Sequence, residues 1–255
     1  MLLRGHTALR YPRVREGVGM SNGDNGDDGV RSWSADQDRR TVMRLRLGVG
    51  VIGLLLPIAL PLGNWIFVQL GHPTDIMPAS MSGSYYTSTR NVFVGSLCAL
   101  GVFLIGYRYD RRDDVWTSVA GWFAIGVALF PTMPRAATAF QEVVGVLHLV
   151  FAGVLLCALA VFCLVSFRGR SGPAGPAVNR FYLAAGLLIP FFLAVAVVAG
   201  LTGWGSRWTV TPLYLCEALS VWTFGAAWIV AAVRLGAFSR TRELLGEVRA
   251  PLSFG

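Results

Sequence analysis

The chain has 255 residues, 54% of them hydrophobic and 14% charged, with a net charge of +8 and a mean hydropathy of +0.56. A water-soluble domain carries about 25% charged residues, so this composition excludes an ordinary soluble domain and points to lipid as the solvent. All 22 basic residues are arginine, which rules out Schiff-base chemistry and a lysine nucleophile.

Residues 1–46 are polar, and 21–29 (SNGDNGDDG) reads as a disordered tail. Leu2 and Leu3 are not followed by an apolar stretch, so they do not form a signal peptide. Met1, Met20 and Met43 each offer a start. Six apolar runs follow, at 47–70, 92–107, 115–130, 143–167, 181–201 and 213–235. Each predicts a membrane-spanning helix; the second and third are short and need flanking residues to complete a crossing. Pro57 and Pro61 should bend the first span, and Pro190 the fifth. The fold expected is all-α: a six-helix transmembrane domain over 47–235, with cytoplasmic tails at 1–46 and 236–255.

The arginines set the orientation. Arg39, Arg40, Arg44 and Arg46 precede the first span, and Arg108, Arg111 and Arg112 follow the second. Arg168, Arg170 and Arg180 separate the fourth from the fifth, and Arg234, Arg240, Arg242 and Arg249 follow the sixth. The intervening loops hold one each: Arg90, Arg135 and Arg207. By the positive-inside bias both termini are cytoplasmic, and the inner arginines need no role beyond topology. The same placement accounts for the net positive charge without nucleic acid as a partner. The bias toward Arg, Ala, Gly and Val suggests a bacterial genome, hence a multi-pass protein of the plasma membrane, with membrane lipids as its surroundings.

Several motifs dissolve on inspection. Gly48, Gly50 and Gly53 spell G-x-G-x-x-G, but no strand precedes them, so close helix packing is the better reading. Ala120, Ala124 and Ala128 form a second small-residue stripe. Cys98, Cys157, Cys163 and Cys216 all lie in apolar runs and imply no disulfide framework.

The polar residues with no topological explanation lie on the outer side. The loop 71–91 holds His72, Asp75, Ser80, Ser82, Ser84, Tyr85, Tyr86 and Arg90. His148 and Glu217 fall inside the fourth and sixth spans near their outer ends; ionisable groups there are costly and face a partner in the bundle. Gln141 and Glu142 begin the fourth span. The simplest arrangement is a network in which Arg90 pairs with Glu217 or Glu142 and His148 bonds to Tyr85, Tyr86 or a serine. The same residues, Ser82 and Ser84 included, would also suit a pocket for a lipid headgroup or small ligand. A metal or hydrolytic site would draw on His72, Asp75 and His148. With only three histidines and His6 in the tail, a three-histidine membrane hydrolase is excluded. No G-x-S-x-G accompanies the serines.

Three stretches carry a family resemblance: 82–95 (SGSYYTSTRNVFVG), His148 with the apolar stretch after it, and 217–228 (EALSVWTFGAAW). They resemble uncharacterised bacterial multi-pass membrane proteins in which S-x-S-x-Y-Y…R-D-x-F-V-G follows the first span. A more distant likeness is to DRAM-type and other six-span membrane proteins. Asn91 stands where that pattern has Asp, so the position lacks a carboxylate. The resemblance implies a membrane bundle but no activity and no cofactor. It places Arg90, His148 and Glu217 in family-like stretches.

The functional expectation is a non-enzymatic membrane protein with an outward-facing polar pocket. A lipid-active membrane hydrolase and a small transporter are the alternatives. The absence of ionisable residues near the midplane counts against transport.

Overall fold

The computed structural model describes residues 24–108, 111–134, 136–168 and 175–249. Contacts divide the chain into residues 1–37 and 38–255. Of the first unit, 24–37 are described, and they are helical. Helix α1 spans Asp24–Gln69, α2 Arg90–Gly106, α3 Arg111–Leu129, α4 Ala139–Phe162, α5 Pro176–Thr202 and α6 Pro212–Arg249. A 3-10 turn, Ser82–Tyr86, precedes α2, and a π-helical stretch, Cys163–Phe167, prolongs α4. No strand occurs among the described residues.

All six apolar runs therefore fold as helices. Four stretches are long and apolar enough to cross a membrane: Arg40–Gln69, Ala139–Phe167, Pro176–Thr202 and Pro212–Gly236. Helix α2 is apolar but has only 17 residues. Helix α3 opens on Arg111, Arg112, Asp113 and Asp114, which leaves it a short apolar length.

Both expected domain boundaries fall inside continuous helices. Between Gly29 and Gly48 there is neither glycine nor proline, so nothing interrupts the hydrogen-bond ladder of α1 at residue 46. The described part of the expected disordered tail, 24–46, is helical; residues 1–23 lie outside the described residues. Helix α6 likewise passes residue 235 without a break and extends to Arg249, two residues before Pro251. By contrast α5 stops on Gly203, whose φ of +66° is the left-handed conformation that closes a helix.

Backbone continuity through the prolines of α1 needs outside help. Pro61 has no N–H to offer the Pro57 carbonyl one turn earlier. Tyr214 of α6 supplies the missing donor: its hydroxyl donates to the Pro57 carbonyl at 2.7 Å. Trp222, two turns further along α6, donates its indole N–H to the Leu54 carbonyl at 2.9 Å. In an apolar surrounding an unpaired carbonyl costs several kcal/mol, so these two side chains tie α6 to the proline-containing part of α1.

Small residues let the same two helices approach closely. A Cβ placed on Gly53 would sit 3.1 Å from the Gly225 Cα, and one on Gly225 would sit 3.0 Å from the Gly50 carbonyl oxygen. The G-x-G-x-x-G run is thus a packing surface. Ala120, Ala124 and Ala128 are all buried on α3.

At the end of the bundle away from the 71–89 loop lies an aromatic cluster of Tyr107, Phe162, Phe167, Tyr182 and Trp228. Arg46 is embedded in it at 7% exposure. Its Nε and Nη2 donate to the Tyr107 hydroxyl, and its Nη1 donates to the Ala231 carbonyl at 3.1 Å. Topology alone does not explain this arginine. It is a buried linchpin, with its guanidinium 5.5 Å from the Tyr107 ring centroid and 5.4 Å from that of Phe167.

Candidate functional site

The opposite end of the bundle is closed by the segment 71–89, tied down at every turn. The Asn64 side chain, fully buried on α1, accepts the Thr89 N–H at 3.2 Å and donates to the Ile76 carbonyl at 3.5 Å. Thr74 Oγ1 accepts the Ser88 N–H at 3.2 Å. Thr211, just before α6, donates its hydroxyl to the Ala79 carbonyl at 2.6 Å. The Tyr86 hydroxyl donates to the Thr132 carbonyl at 2.6 Å, which joins the segment to the turn between α3 and α4. Burial and neighbouring Tyr85 push the Tyr86 phenol above its ordinary pKa against the effect of Arg90, so it remains a donor.

Glu217 holds the centre of this cap. Its Oε2 accepts the Met81 N–H at 2.5 Å. The 3-10 turn beginning at Ser82 thus starts on a carboxylate brought from α6, as an anion suits exposed N–H groups at a helical N-terminus. Ser80 Oγ accepts the Gly83 N–H at 2.8 Å and lies 3.3 Å from Ser82 Oγ.

His148 serves another helix end. Its Nδ1 donates to the Phe130 carbonyl at 2.7 Å, satisfying one of the carbonyls left over where α3 stops before Pro131. A neutral ring protonated on Nδ1 keeps Nε2 as an acceptor. One turn earlier on α4, Gly145 admits the backbone of the proline-flanked turn: an added Cβ would lie 3.0 Å from both the Met133 Cα and its nitrogen.

Glu217 and His148 share the wall of one cavity of about 100 Å³. Ser82 lies at the same wall; the remaining lining is apolar, including Leu56 of α1, Leu97 of α2, Val127 of α3 and Leu159 of α4. The size is comparable to the ~150 Å³ apolar cavity known to accept benzene. The space therefore suits a ring or part of a hydrocarbon chain.

The expected direct network does not form. Arg90 turns outward, donating from Nη2 to the Tyr85 hydroxyl at 2.7 Å with its Cζ 4.2 Å over that ring. Tyr85 is close enough in sequence to reach it, whereas Glu217 is already engaged by the Met81 N–H. Glu142 is exposed in the first turn of α4, where the helix dipole favours an anion. Gln141 completes a capping box with Thr138: Gln141 Oε1 accepts the Thr138 N–H at 2.9 Å, and Thr138 Oγ1 accepts the Gln141 N–H at 3.4 Å. Ser84 is buried, and its hydroxyl has no hydrogen-bond partner among the described residues. The pocket is also less polar than expected, with its polar groups gathered where the cap meets α4 and α6.

The residues weighed for metal stay apart. His72 packs edge-on against Phe67, ring centroids 5.7 Å apart, while His148 caps α3. Among the described residues no three His, Cys, Asp or Glu side chains gather as a metal site would require. Arg135 lies outside the described residues.

Asn64 and Thr211 hold the cap from outside the cavity, and sequence reasoning passed over both. Asn64 is the only amide side chain inside the first apolar run before Gln69, and that isolation was the available signal. Thr211 looked like an ordinary loop residue.

No family model, curated protein or solved structure matches the chain.

Proposed function

We propose that this chain is a six-span bacterial plasma-membrane protein, both termini cytoplasmic, that binds an amphiphile in the cavity beneath its outer cap. The family-like stretches around Arg90, His148 and Glu217 are in keeping with that architecture. The observation that carries the binding reading is the cavity itself: apolar walls with a carboxylate and an imidazole on one side. Neither group is held by another charged side chain in any bond described above. The Met81 N–H engages the Glu217 carboxylate, which has about four acceptor sites in all. Capacity remains for a ligand donor. A hydroxyl or amine head fits this chemistry; a phosphate headgroup, rich in acceptors and negative charge, does not.

Ser82 lies at the cavity wall with His148 and Glu217, but its Oγ pairs with Ser80 Oγ and the imidazole with the Phe130 carbonyl, so binding is favoured over hydrolysis. Transport would need a polar path to the opposite end, and that end is filled by the Arg46 aromatic cluster.

The test is binding to purified protein in nanodiscs, read by native mass spectrometry with a long-chain primary alcohol as ligand. Leu97→Trp, which fills the cavity, should abolish binding while leaving the helical circular-dichroism signal intact. Equal binding by wild type and the filled variant would sink the reading. A C-terminal reporter active only outside the cell would overturn the orientation.

A further inference from the structure

The walls of the cavity are unequal. Phe93, Leu97 and Leu100 of α2 and Val127 of α3 are buried. On α4 and α6 the lining includes half-exposed residues: Ala152 and Leu156 on one helix, Glu217 and Val221 on the other. Each pair is four residues apart, so each forms a stripe along one face of its helix. Ile52 and Ser82 are the other half-exposed members.

The surface continues outward on the α4 side. Leu149, three residues before Ala152, is 64% exposed, and Val150 is 52% exposed. A Cβ added to Gly153 would meet nothing within 4 Å. From Ala139 to Val150 the only buried α4 residues are Gly145 and His148, whereas Leu155, Ala158, Leu159, Ala160 and Phe162 are all buried. Helix α4 is thus packed tightly at the aromatic end and loosely at the capped end. At the aromatic end the Leu164 side chain and the Ala160 carbonyl crowd Gly186 of α5, and no α5 residue lines the cavity.

The 71–89 segment is bonded across the capped end, while α4 and α6 supply partly exposed lining and α4 continues into exposed Leu149 and Val150. We propose that α4 and α6 frame a lateral slot, and that a single-chain amphiphile with an uncharged hydroxyl head enters through it from the bilayer. The chain passes between the Ala152/Leu156 and Val221 stripes, and the head stops at Glu217, the polar group on the slot itself. Hydrocarbon crosses such a slot without leaving an apolar medium, so entry costs little desolvation. This inference rests on the amphiphile-binding reading and adds the route and the head chemistry.

A long-chain primary alcohol bearing a terminal diazirine tests it in nanodiscs, with labelled residues mapped by peptide mass spectrometry. In wild type the label should reach Leu97 and Leu100 at the buried wall, and an excess of unlabelled long-chain alcohol should suppress it. The paired plugs Ala152→Phe and Val221→Phe should slow that labelling roughly tenfold, as raising a barrier by about 1.4 kcal/mol does. Thr211→Val, which removes a tie on the cap, should leave the rate unchanged. No labelling of Leu97 or Leu100 in wild type would remove the amphiphile reading together with the slot. Interior labelling that survives the plugs but accelerates in Thr211→Val would keep the ligand and overturn the lateral route. A long-chain phosphate ester competing as well as the alcohol would overturn the head assignment.

Discussion

The Glu217 carboxylate and the Met81 backbone N–H meet at 2.5 Å across 136 positions of sequence. That contact fastens the 71–89 cap to the last helix and places a carboxylate on the wall of the cavity beneath. Removing it by Glu217→Ala should cost about 1.5–3 kcal/mol, as for hydrogen bonds to a charged group. Glu217→Gln, which keeps an acceptor, should lose less. Cysteine labelling at Asp75→Cys reads the cap: faster labelling in the alanine variant is expected, and an unchanged rate with an unchanged unfolding midpoint would refute the fastening role.

Tyr214 and Pro61 form a thermodynamic pair through the Pro57 carbonyl. Tyr214→Phe should destabilise by about 1–2 kcal/mol, because it leaves that carbonyl unpaired. Pro61→Ala restores an N–H to the helix, so the tyrosine should matter less in its presence. Unfolding of the four members of the cycle in detergent measures the coupling. Additive effects would show that the hydroxyl is not standing in for the missing N–H.

The α1–α6 crossing makes a contrast between glycines. Gly53→Val should destabilise by about 1–3 kcal/mol or more, since its side chain would enter the Gly225 backbone. Gly95→Ala and Gly153→Ala meet nothing within 4 Å and should be neutral or stabilising by up to about 1 kcal/mol through helix propensity. Thermal midpoints in one detergent distinguish the two classes; equal effects at Gly53 and Gly95 would contradict the packing.

Arg90 and Tyr85 interact at the surface, so a double-mutant cycle of Arg90→Ala and Tyr85→Ala should give a coupling of only about 0.5–1 kcal/mol. A coupling several times larger, or loss of folded protein with Arg90→Ala alone, would place the arginine in the interior network that the sequence suggested.

What was legible in the sequence was what local chemistry specifies. Apolar runs of the right length became helices, and glycine and alanine at helical spacing became contact faces. His148 and Glu217 stood out because an ionisable group in an apolar run demands a partner. Their partners were not legible. Both bind main-chain groups, the Phe130 carbonyl and the Met81 N–H, and every residue carries such groups, so side-chain pattern gives no hint of which one is used. Arg46 misled for a related reason: one arginine among several beside a span looks topological until the fold wraps Tyr107 and Phe167 around it.

By itself the sequence determined the helical class and the stretches apolar enough to cross a membrane, because hydropathy and residue size act within a single segment. It also marked which polar groups had to be accommodated. Only the tertiary structure decided that Arg90 faces out with Tyr85, that Glu217 holds the cap, and that His148 completes the end of α3. It also decided that Glu217 and His148 border one cavity. Those relationships depend on how distant helices are rotated and how closely they approach, and that is settled by packing across the bundle rather than within any one segment.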